Sequence, residues 1–273
     1  MLHCTRSNGS AGIDLVWTDH IVVLSRGEAA LACGLLGAIV GSFVGAAQAR
    51  LPLGRSVATG RSRCEHCGKA LGVGELVPIV SFVALRGRCR ACGEPIDRWQ
   101  LAAEVGGAAI GVAAALVARD PVFLGLGLIL GGQLLLLGLL DARHFWLPDR
   151  LVALLAATGA VPALLAGWRE PALLLGPLAG AALGFALLWL PGRVYRVWRG
   201  IDGLGAGDPK LLAAIGLWLG PLGVVETLLG GSLVGLAAAG GLALAGKAPS
   251  ARTALPLGAC LALAAFAVYL AQN

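Results

Sequence analysis

Two aspartates stand out because each lies where an apolar segment meets a polar loop. Asp141 follows the run LLLLGLL, and Asp208 lies between the glycine-rich GLGAG and the apolar KLLAAIG. An ionised carboxylate at the edge of an apolar phase is costly unless a partner compensates for its lost hydration. Two such groups at close range share one proton, so that one activates a water while the other donates to a carbonyl. The pair therefore predicts aspartyl hydrolysis.

Each aspartate also has a purely structural alternative. Pro209 suits an early helical position, which makes Asp208 a natural N-cap of the helix that follows it. Asp141 could be a simple boundary residue, and Asp149 is predicted to cap the next helix. If the pair is catalytic, Gly205 and Gly207 would let an extended substrate backbone approach closely, which a side chain would prevent.

Four cysteines form the second chemical motif. They occur as two C-x-x-C pairs, each followed by glycine and separated by 21 residues: Cys64, Cys67, Cys89 and Cys92. Four thiolates around one ion are the ligand set of a structural zinc site, and a glycine suits the tight turn of each knuckle. Two disulfides or four free thiols are the alternative interpretation.

The composition places these motifs in a membrane protein. Hydrophobic residues make up 58% of the chain and charged residues only 13%. Apolar runs are long enough to cross a hydrocarbon core of about 30 Å, and the absence of period-2 alternation favours helices. The predicted spans are 28–48, 99–118, 122–140, 151–168, 171–191, 209–220, 222–245 and 254–271. The predicted fold is an all-α polytopic membrane protein with about eight transmembrane helices and a small cytoplasmic zinc-ribbon-like segment between the first two.

Basic residues predict the orientation of the chain. If the polar segment 50–98 is cytoplasmic, the loops on that side hold 17 of the 21 lysines and arginines, as the positive-inside rule requires. The net charge of +6 is then a topology signal, and we expect the lipid bilayer, not nucleic acid, as a partner. Both aspartates fall at the cytoplasmic edge. The expected organisation is an extracytoplasmic extension at 1–27, a first transmembrane helix at 28–49, a cytoplasmic four-cysteine segment at 50–98 and a seven-helix membrane domain at 99–273.

The chain resembles the prepilin leader peptidases, which are membrane aspartyl proteases of type IV pilus and type II secretion systems. Four landmarks carry this resemblance, in the family's order and spacing: GSFVGAAQARLP, the double C-x-x-C with RGRC before its second pair, LDARHFWLPDRL and GLGAGDPKLLAAIG. The family's catalytic pair is the aspartate eight residues before the LPD aspartate and the aspartate of G-x-G-D. The resemblance implies that Asp141 and Asp208 are that pair.

The resemblance also implies a substrate, a location and a second activity. Members cleave after a glycine in the short basic leader of prepilin and pseudopilin precursors, at the cytoplasmic face of the bacterial inner membrane. Many then N-methylate the new amino terminus with S-adenosylmethionine, and members with the four-cysteine segment are credited with both steps. Glu104 occupies a family position early in the second span.

A basic leader needs acidic groups for its recognition. We therefore expect Glu75 and Glu94 of the four-cysteine segment, together with Glu104, to contribute to leader or amine binding while the cysteines hold the shape. Two other functions remain open from the sequence. One is a general intramembrane aspartyl protease, and the other is a transporter that uses Asp141 and Asp208 as a proton relay.

Overall fold

The computed structural model describes residues 25–57, 61–201, 203–246 and 255–272, so most of the predicted extension at 1–27 lies outside the described residues. The part of the chain that it describes is helical, with two isolated β-bridges and no regular strand. The helices are α1 Arg26–Arg50, α2 Val80–Ala84, α3 Arg98–Val117, α4 Pro121–His144, α5 Asp149–Gly167, α6 Leu175–Arg199, α7 Asp208–Leu244 and α8 Leu257–Ala271.

Six of these helices are long and apolar enough to cross a membrane, and α8 is shorter, with 15 residues. The order of the predicted spans is confirmed, and the sixth and seventh spans appear as one helix, α7. Gly220 interrupts α7 with a φ of 69°, a left-handed conformation that glycine adopts without strain. Pro221 follows and has no N–H for the helical ladder. The break therefore divides α7 where the sequence predicts two spans.

Helices α1 and α3 pack with their backbones almost in contact. A Cβ atom added to Gly37 would lie 2.1 Å from the carbonyl oxygen of Gly107, and one added to Gly111 would lie 2.0 Å from that of Cys33. Small residues permit this close approach, which is a common way for helices to associate where no water is available to drive packing. The interface fixes the ends of α1 and α3 that border the four-cysteine segment.

The largest core lies among the other long helices. Leucines of α4 belong to one buried cluster with residues of α5, α6, α7 and α8, and the fully buried large members include Leu130, Leu137, Leu155, Leu211, Ile215 and Leu261. The outer faces are apolar as well: Leu31, Leu35 and Phe43 of α1 are each more than half exposed. An apolar surface outside an apolar core is expected of helices that face lipid. This core adjoins the two aspartates, since one lies in the last turn of α4 and the other begins α7.

Candidate active site and metal centre

Asp141 lies in the last turn of α4, because that helix continues to His144 and not only to the predicted boundary at residue 140. The side chain is 6% exposed. Its Oδ2 accepts a hydrogen bond of 2.9 Å from the backbone N–H of Ala259, in the first turn of α8. Such N–H groups at a helix start have no partner within the helix. The α8 terminus therefore fixes the orientation of the Asp141 carboxylate.

Asp208 is the first residue of α7, and Gly207 precedes it as the N-cap. The prediction that Asp208 is the N-cap is therefore wrong, and so is that for Asp149, which follows the N-cap Pro148 of α5. The cause at Asp208 is a turn in which its N–H donates to the carbonyl of Gly205, over 3.2 Å. This turn draws Asp208 into the helix.

The two aspartates form a buried pair. Asp208, like Asp141, is 6% exposed, and the carboxylates are close enough for their charges to interact. One lies in the last turn of α4 and the other begins α7, and both helices pack against α8, which therefore helps to set the separation of the carboxylates. Two buried carboxyl groups whose charges interact match the requirement of aspartyl hydrolysis, in which the pair shares a proton and activates a water.

Glycines make room for this pair. A Cβ atom at Gly205 would lie 2.8 Å from Oδ2 of Asp208, and one at Gly258 would lie 3.0 Å from Oδ2 of Asp141. Leu147 fills the space beside them: Cβ atoms at Gly207 and Gly258 would lie 2.8 and 3.0 Å from its side chain. Gly205 and Gly207 thus have a steric role in building the pair, and their contact with substrate stays a prediction.

The two aspartate motifs are also joined at the surface. Lys210 Nζ, two residues after Asp208, donates to Asp149 Oδ1 over 2.7 Å. Both side chains are substantially exposed, so this ion pair contributes little to stability. It does tie the start of α7 to the start of α5.

The four cysteine sulfurs converge on one point. All lie within 4.8 Å of one another, and Cys64 Sγ lies 3.8 Å from Cys92 Sγ. Tetrahedral zinc with Zn–S bonds of about 2.3 Å separates its sulfurs by about 3.8 Å. The cluster can therefore hold a metal ion with little adjustment.

Two matching turns bring the sulfurs together. In the first, the Gly68 N–H donates to the Cys64 carbonyl, and in the second, the Gly93 N–H donates to the Cys89 carbonyl, each over 2.9 Å. Both glycines have left-handed φ angles, 71° and 73°, which explains the glycine after each pair. The isolated bridges Arg63–Ala70 and Arg88–Pro95 close the two turns.

A cavity of about 420 Å³ lies between the four-cysteine segment and the adjoining ends of α1 and α3. Neither Asp141 nor Asp208 lines it. Its acidic lining residues are Glu65, Glu75, Glu94, Asp97 and Glu104, and its basic ones are Arg50, Arg63 and Arg90. All three glutamates predicted to bind substrate thus border one space, and the acidic side chains outnumber the basic ones there.

Two of the predicted glutamates, Glu104 and Glu75, differ in their contacts. Glu104 is 5% exposed; its oxygens accept from the Ile79 N–H over 2.7 Å and from Gln100 Nε2 over 2.8 Å. Glu75 accepts from the Gly72 N–H and lies 3.6 Å from Lys69 Nζ. The Gly72 hydrogen bond lowers the pKa of Glu75, so this carboxylate is ionised at neutral pH.

Glu104 has a conformational role that its sequence position did not indicate. Ile79 has a φ of 62° and a ψ of −51°, a backbone conformation that is costly for a β-branched residue. The hydrogen bond from its N–H to Glu104 helps to hold this strained turn before α2. Gln100, which also donates to Ser42, fixes the other Glu104 oxygen.

Arg143 and Gln48 are site residues that the sequence did not reveal. Arg143 Nη1 donates to Asp97 Oδ2 and, over 3.4 Å, to Gln48 Oε1. Asp97 and Gln48 line the cavity, whereas Arg143 belongs to the helix turn that carries Asp141. No signal marked Arg143, because a basic residue in the last turn of a helix is expected from the helix dipole alone.

Comparison with known proteins gives two family matches. Residues 35–118 match the Bacterial Peptidase A24 N-terminal domain, and residues 128–240 match the Type IV leader peptidase family. The first match contains the four cysteines and the cavity, and the second contains Asp141 and Asp208. No solved structure matches the chain.

Curated relatives cover most of the chain. A prepilin leader peptidase/N-methyltransferase of Burkholderia pseudomallei (strain K96243) is 36% identical over 234 residues, which are 75% of this chain and 74% of that protein. Another of that name from Klebsiella pneumoniae is 37% identical over 202 residues, covering 71% of this chain and 87% of the relative. The type 4 prepilin-like proteins leader peptide-processing enzyme of Escherichia coli O78:H11 is 32% identical over 222 residues, with coverages of 79% and 77%.

Proposed function

We propose that this chain, which belongs to the type IV leader peptidase family, is a membrane aspartyl endopeptidase. It would remove the leaders of prepilins and pseudopilins. The chain is a multi-pass inner-membrane protein. The observation that carries the proposal is the buried pair of carboxylates, Asp141 and Asp208, at facing ends of two membrane helices. Family membership favours this activity over a transporter, and the four-cysteine segment favours it over a general intramembrane protease.

The proposed reaction uses the pair as one proton-sharing unit. One carboxylate takes a proton from a water that attacks the scissile carbonyl, and the other protonates the departing amine. The Ala259 N–H orients Asp141, and the glycines beside both carboxylates keep that space free of side chains. The distribution of basic residues supports a cytoplasmic position for the pair, since 17 of 21 lysines and arginines fall in the loops on the same side, as the positive-inside rule predicts for the cytoplasm.

A test of this activity uses membranes that contain the full-length chain and a short precursor with a basic leader, a glycine and an apolar segment. We expect a shortened product whose new amino terminus, read by mass spectrometry, begins directly after the glycine. Membranes without the chain are the control. Recovery of intact precursor alone, after incubation with correctly inserted protein, would overturn the proposal.

The second proposed activity is N-methylation of the new amino terminus, because the relatives from Burkholderia pseudomallei and Klebsiella pneumoniae are named prepilin leader peptidase/N-methyltransferase. The cavity supports it, because about 420 Å³ is within the range of small-molecule and cofactor sites. S-adenosylmethionine would supply the methyl group. Its sulfonium is cationic, as is a protonated peptide amine, so the acidic lining suits both, and Phe82 offers an aromatic surface. The same mass spectrum reports this step as one added methyl group on the new amino terminus.

The structural metal is proposed to be zinc, held by the four cysteines. The ligand set is all thiolate and closed, which suits a structural ion and leaves no position for substrate. Its role is to hold together the turns that form one side of the cavity, since Cys64 and Cys89 both line it.

Leader or amine recognition is proposed to depend on Glu75 and Glu94. Replacing both with Gln is expected to raise KM about 2- to 30-fold with little change in kcat, because each charge pair near the surface contributes about 0.2–1 kcal/mol. Gln at position 75 can still accept from the Gly72 N–H, so the local turn is preserved. The measurement is steady-state kinetics on the precursor peptide, with metal content determined in parallel.

Glu170→Gln is the matched control, since Glu170 is exposed in the connection between α5 and α6 and does not line the cavity. Unchanged cleavage and methylation kinetics in the Glu75→Gln, Glu94→Gln variant would remove these residues from recognition. Glu104 is proposed to act indirectly, by shaping the cavity through Ile79, since both of its oxygens already have partners.

A further inference from the structure

The last turn of α4 sends two polar side chains in opposite directions. Asp141 contacts the start of α8, and Arg143, two residues later, contacts Asp97 and Gln48. Successive helical residues turn by about 100°, so positions two apart leave the helix on nearly opposite sides. This turn is therefore held from both flanks, by α8 on one side and by the cavity wall on the other.

Asp97 is a firm anchor for Arg143. Its Oδ1 accepts from the Trp99 N–H over 3.0 Å and so caps the start of α3, while its Oδ2 accepts from Arg143. Arg143 and Asp97 side chains are 29% and 33% exposed, so solvent screens the pair only partly. A charge-assisted hydrogen bond between partly buried groups is stronger than an exposed ion pair.

Helix α4 ends immediately beyond this contact. Phe145 adopts a left-handed conformation with a φ of 49°, and its N–H donates to the Asp141 carbonyl. The chain then passes through Leu147, which lies beside Gly207 and Gly258. Helix ends fray readily because their backbone groups lack partners within the helix. A lateral tie at Arg143 therefore restricts the same turn that carries Asp141 toward Asp208.

We propose that Arg143 is a positioning residue for cleavage: its ion pair with Asp97 fixes the last turn of α4 and thereby holds Asp141 in register with Asp208. This inference rests on the proposed peptidase function and adds a residue to it. It also links the four-cysteine segment, near whose end Asp97 lies, to the carboxylate pair through the contact of Asp97 with Arg143. Arg143 itself touches neither the reacting atoms nor the cavity contents.

Two substitutions remove the ion pair while preserving their surroundings. Arg143→Gln removes the guanidinium and its charge while keeping the first three side-chain carbons, and Asp97→Asn keeps an oxygen that can cap α3 at Trp99. Each is expected to lower kcat about 10- to 100-fold with KM within about twofold, the range produced by small misplacements of catalytic groups. The double variant should fall no further than the single variants, because both remove one interaction. Arg143→Lys should recover most of the rate.

Arg150→Gln is the matched control, as Arg150 is an exposed arginine in the first turn of α5. Hydrogen–deuterium exchange at residues 141–148 gives a readout that does not depend on activity: it should be faster in Arg143→Gln and Asp97→Asn than in Arg150→Gln. Additive losses in the double variant, a change confined to KM, or exchange equal to that of the control would overturn the proposal. If the unaltered chain fails to cleave, the peptidase function is wrong, and the exchange measurement still decides whether Arg143 holds this turn.

Discussion

Replacing Asp208 with Asn is expected to reduce the cleavage rate about 10²- to 10⁴-fold, because general acid–base catalysis by a positioned group contributes about that much. Asn has nearly the same size, so it still fits beside Gly205, where a Cβ atom would lie 2.8 Å from the Asp208 carboxylate. It cannot, however, share a proton with Asp141. Initial rates on a precursor peptide, with the amount of inserted protein measured, report the loss.

Asp141→Asn is expected to give a comparable loss. The Asn side-chain oxygen can still accept from the Ala259 N–H, which donates to Oδ2 of Asp141 over 2.9 Å, so the position of the side chain is preserved while its protonation chemistry is not. The losses should not add in the double variant, because residues that act as one unit are not independent.

Asp149→Asn is the matched control for both variants. Asp149 belongs to the LPD sequence and lies in the first turn of α5, on the same predicted side of the membrane as Asp141 and Asp208. It differs from them in being exposed and in pairing with Lys210. Its substitution should leave most of the cleavage rate, since an exposed ion pair contributes little. A well-inserted Asp208→Asn or Asp141→Asn protein that cleaves as fast as Asp149→Asn would contradict the assignment of the pair.

The sequence was sufficient to predict the helical class, the order of the membrane segments and the convergence of the cysteines. These features depend on local signals: apolar run length, the glycine after each C-x-x-C and the Gly-Pro pair that interrupts α7. Helix boundaries were less well predicted, because α4 continues one turn past residue 140. That turn matters, since it places Asp141 inside a helix and Arg143 on its far side.

What the sequence could not supply were contacts between distant segments. The hydrogen bond from the Ala259 N–H to Asp141 joins residues 118 positions apart. Its donor is a backbone group, which nearly every residue type carries, so the sequence does not indicate it. The glycines of G-x-G-D suggested close approach of a substrate, whereas the fold places Leu147 and the Asp208 carboxylate against them. Glu104 was identified by its family position, but its bond to the strained Ile79 depends on how the four-cysteine segment lies against α3.

The four-cysteine segment should depend on metal for its folding. It has two short turns, a five-residue helix and exposed apolar residues such as Val73 and Val80, which is too little buried surface to order it alone. Structural zinc contributes on the order of 10 kcal/mol to comparable small sites at neutral pH. Purified protein is therefore expected to carry about one zinc per chain, and the Cys64→Ser, Cys67→Ser variant should lose it.

The consequence of this loss should differ between the two proposed activities. Methylation is expected to fall about 10- to 100-fold, because Cys64 and Cys89 line the cavity and loss of residues that support a site from outside it changes activity by about one to two orders of magnitude. Cleavage should fall less, since the packed leucines of α4, α7 and α8 hold Asp141 and Asp208 without the metal. Cys33→Ser, in α1 and outside the cluster, is the control and should change neither metal content nor methylation. Metal-free purified protein would contradict the zinc site. Disulfides among the four cysteines in fresh preparations would contradict both that site and the cytoplasmic position of the segment, because a reducing compartment keeps thiols free.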